Sequence, residues 1–394
     1  LSLMVFLTSH QPFCMEKIYL DHNATTPLHP EVLEEMLPAL RENFGNPSSV
    51  HSFGRFARVQ LDVAREKVAK LIGSHSSEII FTSGGTEANN LALLGASFRD
   101  KRKSIITSKI EHPSVINPCR QLEEQGIEVF YLDVDRYGRI DINELESKVT
   151  ESTALISLQH ANSETGVLQD IKLVSEIAKS KGVLFHTDAV QSVAKIPFDL
   201  KEFPVDMLSI SAHKFNGPKG VGALYLKKGT PALFTPITGG GQEKKRRGGT
   251  ENVAGIIGFG KACELANLRI SEKPRISELR DYFLDKIYEM IPGANLLGDK
   301  KNRLPNTLNI GFKGLEGDTL LIALDLDGVA VSTGSACSSG TGLPSYVLQA
   351  MGISDEIINS SIRFSLGENT SKLQIDSVVE TLIKTVGHNK TVIL

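Results

Sequence analysis

The sequence predicts an α/β protein, with a mostly parallel central sheet covered by helices on both faces and a smaller α+β domain beside it. Three observations lead there. From about residue 60, short apolar runs rich in β-branched and aromatic residues alternate with stretches of helical periodicity. That alternation is how chains build parallel sheets buried on both faces. Near residue 270 the texture changes, and 394 residues exceed what one simple core accommodates.

Taken in order, residues 1–15 hold an apolar stretch from Leu3 to Leu7 with no Lys or Arg before it. It is too short to span a membrane and lacks the charged start of a signal peptide. Residues 1–23 are expected to form an N-terminal segment packing with the small domain. Residues 60–72 place Leu61, Ala64, Val68 and Leu71 at helical spacing, with Gly73 as the C-cap. Strands are expected at 78–81, 104–107, 128–131, 154–158, 183–185, 207–210 and 223–225. Helices are expected between them, among others at 90–96, 115–125 and 171–180. These elements make a large domain over 24–270. In 271–394, charged helices at 274–291 and 373–386 bracket strands near 306–311 and 361–366.

The composition is that of a soluble globular protein, 41% hydrophobic and 23% charged. A net charge of −3 offers no basic field for nucleic acid or acidic membrane, so neither is expected as a partner. The four cysteines, Cys14, Cys119, Cys263 and Cys337, contain no CxxC pair. That spacing argues against a disulfide framework or a zinc site and for a reducing, cytoplasmic compartment.

Ligands of open α/β sheets sit outside the C-terminal strand ends, so polar residues just after strands come first. After Phe81 the segment Thr82-Ser83-Gly84-Gly85-Thr86-Glu87 opens a helix. It can cradle a phosphate on its free N–H groups, or simply be a capped turn. Asp188 follows the strand at 183–185 and could be an N-cap. Lys214, in Ser211-Ala212-His213-Lys214, ends another buried strand. Lysine is seldom buried there without a purpose, and a desolvated amine suits Schiff-base chemistry. Lysine, carboxylate and phosphate cradle together are the parts that pyridoxal 5'-phosphate requires.

Other residues stay open on this reading. His112 is either a ring that stacks on the cofactor or a loop histidine, and Asn162 before Gly166 fits ordinary turn chemistry. The run Lys244-Lys245-Arg246-Arg247 reads as a solvated loop. Arg363 interrupts an apolar strand, as a surface ion pair or as a planar fork for a carboxylate. Cys119 and Cys263 fit inert packing, whereas Cys337 lies in the small, polar, glycine-rich Ser332-Thr333-Gly334-Ser335-Ala336-Cys337-Ser338-Ser339-Gly340, where exposure and reactivity are expected.

The ordered motifs, from Tyr19-Leu20-Asp21-His22-Asn23-Ala24-Thr25-Thr26-Pro27 through Gly45-Asn46-Pro47-Ser48-Ser49, Asp188-Ala189-Val190-Gln191, Ser211-Ala212-His213-Lys214 and Gly249-Thr250-Glu251-Asn252 to Gly334-Ser335-Ala336-Cys337, closely resemble the cysteine desulfurase family. This is the NifS/IscS-like branch of the class V aminotransferases, fold-type I enzymes dependent on pyridoxal 5'-phosphate. The resemblance implies L-cysteine as substrate, L-alanine as product and a persulfide on Cys337, passed to a protein acceptor, either a scaffold or a sulfur carrier. It implies that Lys214 carries the cofactor and moves protons. Asp188 would pair with the pyridinium nitrogen, Gln191 with the ring hydroxyl, and His112 would stack on the ring. Gly85, Thr86, Ser211 and His213 would hold the phosphate, joined by Thr250 from the second subunit of a homodimer. Asn162 and Arg363 would hold the substrate carboxylate. Asn23 stands where some members have alanine, a difference expected to change little. The rival readings are a selenocysteine lyase, another aminotransferase of the same fold, or a non-catalytic scaffold.

Overall fold

A computed structural model describes residues 17–99, 102–270, 273–333 and 344–392, so Cys14 and Cys337 lie outside the described residues. The strands are β1 (Ile18–Tyr19), β2 (Ile79–Thr82), β3 (Ser104–Ser108), β4 (Glu128–Leu132), β5 (Thr153–Gln159), β6 (Leu184–Asp188), β7 (Met207–Ser211), β8 (Gly222–Leu226), β9 (Ala294–Leu296), β10 (Thr307–Phe312), β11 (Val329–Ala330), β12 (Ser332–Thr333) and β13 (Ser361–Ser365). The helices are α1 (Pro30–Arg41), α2 (Ser52–Ile72), α3 (Gly85–Ser97), α4 (Pro113–Glu124), α5 (Ile142–Lys148), α6 (Ile171–Lys181), α7 (Val253–Arg269), α8 (Lys273–Met290), α9 (Gly317–Leu326), α10 (Tyr346–Ala350), α11 (Asp355–Ile358) and α12 (Lys372–Val392). None of these helices is long and apolar enough to cross a membrane.

Seven strands form one sheet in the order β2-β8-β7-β6-β5-β3-β4. β3, β4, β5, β6 and β7 run parallel, and β8 is antiparallel to both β7 and β2, so β2 points the same way as the parallel set. Side chains alternate across a strand, and the two faces bury different partners. Ile105, Leu155, Met207 and Leu224 pack with Leu91, Val115 and Leu122 of α3 and α4. Ile106, Ile156, Leu208 and Ala223 pack with Leu61 and Val68 of α2, Val174 of α6 and Phe259 of α7. Continuous burial along β3, β5 and β7 follows from helices on both faces.

α2 starts at Ser52, eight positions ahead of the periodicity read from the sequence, with His51 accepting from Gly54 N as its cap. Its first turns hid because Phe53, Phe56 and Val59 are apolar yet exposed, which blurs the inside–outside contrast that marks a helix.

A second, antiparallel sheet runs β12-β13-β10-β9. Its core joins Phe283 of α8, Leu320 of α9, Phe364 of β13 and Leu382 of α12 to Ile18 and Leu20, while β1 pairs with β11. The N-terminal strand therefore shares the small domain's core, and the residues directly after it cross to the large sheet. There Thr26 N and Oγ1 donate to His213 O.

Candidate functional site

Because β2, β3, β5, β6 and β7 point the same way, their C-terminal ends deliver polar residues to one edge of the sheet. A cavity of about 190 Å³ opens there. It is lined by Gly85 and Thr86 after β2, His112 after β3, Gln159 and Ser163 after β5, Asp188 and Gln191 from β6 onward, and Ser211, His213 and Lys214 from β7 onward.

Bordering this cavity is the N-terminus of α3, a 13-residue helix beginning at Gly85. Gly84 has φ +157°, a backbone that favours glycine, and a Cβ on Gly85 would lie 2.7 Å from Val190 Cγ2. This segment therefore packs close enough to carry only glycine, and its first-turn amides are the natural partners of an anion. In the same cavity, the Asp188 carboxylate accepts from Val190 N at 2.9 Å and from Asn89 Nδ2 at 2.7 Å. The same Asn89 amide donates to Ser114 Oγ, and Asn89 Oδ1 has no partner among the described residues.

His112 caps α4, where Ser114 N donates to its Nδ1 at 3.1 Å. Nδ1 is therefore an acceptor, which puts the ring proton on Nε2. Burial lowers the His112 pKa, partly offset by the Asp188 charge and reinforced by Lys214, so the ring is neutral at pH 7. Lys214 closes a short 3₁₀ turn after β7, and its Nζ donates to Asn23 O at 2.6 Å and to Ala24 O at 2.8 Å. Burial and the nearby Lys214, Lys219 and Lys195 push His213 down to about 4.

The remaining candidates are placed differently. Asn162 is buried in its own turn, its Oδ1 accepting from Glu164 N, Thr165 N and Thr165 Oγ1 and its Nδ2 donating to Ile110 O. The cavity wall there is made by Ala161 and Ser163 on either side of it. Arg363 is buried on β13, where Nη2 donates to Asp21 Oδ1 at 2.7 Å and Nη1 to Ser163 O at 3.3 Å. Its Nε has no partner among the described residues. Thr250 is exposed and does not line the cavity of its own chain. Its loop is held by Arg247, which pairs with Glu87 of α3 at 2.8 Å, and by the buried Glu243, which accepts from Arg65 and from Phe81 N. The basic run is thus not all solvated, because a charge on α3 claims Arg247.

Sequence reasoning passed over three groups. Asn23 is 1% exposed and far from incidental: its amide and carbonyl bond Ser163, Thr307, Gln191 and Lys214. No local pattern marks it, since its partners lie 140 to 284 positions away. Glu111 is buried beside His112, accepts from Ser108 Oγ and Gln159 N, and is pushed by burial up to about 8. His186, between Ser157 Oγ and Ser209 Oγ beneath the site, is pushed by burial down to about 4.

These shifts fix a pH response. A folded-state pKa lowered from about 6.5 to about 4 means the unfolded chain takes up a proton first, so stability is lost as pH falls through that window. His186 alone contributes at most roughly 3 kcal/mol of this loss. Glu111 acts oppositely, its raised pKa removing stability as pH rises from about 4.5 through about 8. Thermal midpoints measured from pH 4 to 9 are expected to fall at both ends. In His186→Asn the acid-side fall should be shallower, and an unchanged acid limb would refute the assignment.

The chain is similar to known proteins over most of its length. The family model described as Aminotransferase class-V matches residues 18–378. A cysteine desulfurase IscS of Dictyoglomus turgidum is 51% identical over 95% of this chain and 96% of its own length. One from Methanosarcina thermophila is 47% identical over 93% and 91%. Among solved structures, a NifS-like protein superimposes with a TM-score of 0.89 at 39% identity, covering 94% of this chain and all of the other. SspA in complex with cysteine gives 0.79 at 36% identity, covering 89% of this chain and 98% of the other.

Proposed function

Since the chain belongs to the class V aminotransferases and, within them, to the cysteine desulfurase family, we propose that it converts L-cysteine to L-alanine with pyridoxal 5'-phosphate and carries the sulfur as a persulfide on Cys337. The observation that carries this reading is the meeting of Lys214, Asp188, His112 and the Gly85–Thr86 helix start in one cavity. Lys214 and Asp188 come from neighbouring strand ends, and the helix start and His112 from strands farther along the same edge.

The residues present fit the cofactor. Asp188, steadied by Val190 N and Asn89, would hold the pyridinium nitrogen, and the amide of Gln191 the ring oxygen. Gly85, Thr86, Ser211 and His213 would take the phosphate, joined by Thr250 of a second copy of the chain. The cofactor, once bound, supplies an electron sink for the carbanion formed at the substrate α-carbon. Everything else falls to the protein. Neutral His112, which lines the cavity, would face the ring and could offer its Nε2 proton for transfer. The Lys214 amine, held by two carbonyls, is placed to take the α-proton once substrate has displaced it. Arg363, braced by Asp21 and with an unpartnered Nε among the described residues, would offer donors to the substrate carboxylate, joined by the Asn162 amide. The Cys337 thiolate then attacks the substrate sulfur: the C–S bond breaks, an S–S bond forms, and the protons given up by the α-carbon and by the Cys337 thiol end on the α- and β-carbons of alanine. L-Cysteine and one thiol become L-alanine and one persulfide, so no outside oxidant is needed. The persulfide passes to a protein acceptor of the scaffold or sulfur-carrier kind.

A homodimer accords with the surface. Leu33 and Leu40 of α1 and Phe53, Phe56, Val59 and Val63 of α2 are exposed, and the two helices border a groove of about 250 Å³ with Val253 and Ile257 of α7. Apolar faces of this extent are what subunits cover. A reducing, cytoplasmic setting suits the thiol chemistry and the two buried free cysteines, Cys119 and Cys263. The decisive test is incubation of the cofactor-loaded protein with L-cysteine, with alanine and persulfide on Cys337 measured together. Equal amounts of both in a single turnover are expected, and alanine without enzyme-bound persulfide would overturn the reading.

A further inference from the structure

Behind Gln191 lies a buried lysine with no part in the chemistry above. Lys195 is 8% exposed, and its Nζ donates to Gln191 Oε1 and to Asn23 Oδ1, both at 2.7 Å. The turn that brings it back over Gln191 passes through Ala194 at φ 67°, a left-handed conformation uncommon for a residue with a Cβ. Asn23 Oδ1 also accepts from Asn306 Nδ2 at 3.2 Å, so the small domain supports the same point.

An ammonium group has three donors and no acceptor. Whatever faces Lys195 must therefore be an oxygen, and this settles which way round the Gln191 amide sits. Its Oε1 is turned to Lys195, and its Nε2 donates one hydrogen to Asn23 O at 2.9 Å. That leaves Nε2 a second hydrogen, and Gln191 lines the large cavity. Asn23 O is also the acceptor for the Lys214 amine, and Lys195 and Lys214 together line a small cavity of about 50 Å³ on the far side. A single connected network thus runs from Lys195 through the Gln191 amide and Asn23 to Lys214.

We propose that Lys195 is a positioning residue for the cofactor: its ammonium group locks the Gln191 amide with the nitrogen toward the cavity, so that the ring oxygen of pyridoxal 5'-phosphate meets a donor. This rests on the cofactor assignment made above. Without the lysine the amide is free to turn, and in its other orientation an oxygen would face the electron-rich ring oxygen. Hydrogen bonds from charged or oriented donors to such an oxygen are worth about tenfold or more in binding.

The test is a cycle of four apo-proteins titrated with pyridoxal 5'-phosphate and followed by visible absorbance: wild type, Lys195→Met, Gln191→Ala and the double variant. Each single substitution is expected to weaken binding by about tenfold, and the double to be no weaker than about the worse single, because both remove the same contact. Both are also expected to move the absorbance band of the bound cofactor to the same position, which a loss of packing would not do. Lys195→Arg keeps a donor-only cation and should bind within about threefold of wild type. If Lys195→Met does not fold, Lys195→Ala, which likewise carries no donor, takes its place in the cycle. Multiplying effects in the double variant, or wild-type affinity and an unmoved band in Lys195→Met, would overturn the proposal while leaving the cofactor assignment intact. Failure of the wild type itself to bind the cofactor would sink that assignment instead.

Discussion

Lys214→Ala is expected to lower alanine formation from L-cysteine by at least about 10⁴-fold. A positioned acid–base group accounts for about 10²–10⁴ of this, and covalent anchoring of the cofactor for more. The structure says why no neighbour can stand in. Lys214 stands at the end of β7, where its Nζ is aimed by the carbonyls of Asn23 and Ala24. The nearest candidate, Lys195, is committed to Gln191 Oε1 and Asn23 Oδ1 behind the cavity wall. The variant should fold normally, because the turn whose carbonyls accept from the native amine is also held by Thr26 and His213. Absorbance after addition of cofactor, read beside the rate, separates lost chemistry from lost binding. A rate within about tenfold of wild type would rule out Lys214 as the cofactor lysine.

Cys337→Ala is expected to abolish persulfide formation and reductant-dependent sulfide release, while cofactor binding and the spectral change on adding L-cysteine persist. Sulfur transfer needs a thiolate, and the two described cysteines cannot supply one. Burial raises Cys119 to about 12, with the carboxylates of Glu111 and Glu123 adding to the effect. Cys263 is completely buried among the apolar side chains of α7, and its thiol is likewise pushed well up. At pH 7 a thiol with a pKa near 12 is ionised in roughly one molecule in 10⁵. Sulfide release at the wild-type rate in Cys337→Ala would show that sulfur leaves by another route and would end the persulfide assignment.

The parts of this protein that could be read from its sequence are those whose physics is local. Alternating apolar runs and helical stripes report burial within a dozen residues, so the parallel sheet and its two helical layers were legible. A lysine, an aspartate and a glycine-threonine turn, each just past a buried strand, were legible as the pieces of one site because parallel strands end on a common edge. The start of α2 was not, since Phe53 and Phe56 keep apolar side chains at the surface and break the contrast that periodicity relies on.

What only the tertiary structure decided is how those pieces are held and aimed. Arg363 finds Asp21 across 342 positions, Arg65 finds Glu243 across 178, and Lys195 finds Asn23 across 172. No pattern in a linear window encodes such pairs, because each exists only once segments far apart in sequence have packed together. Burial in the folded chain desolvates Glu111 and His186 and moves their protonation, an effect of surroundings that residue type alone does not carry. The sequence by itself determined which groups are present and which edge they reach. Burial and long-range hydrogen bonding decided their charge and orientation, because both depend on what the folded chain places around them.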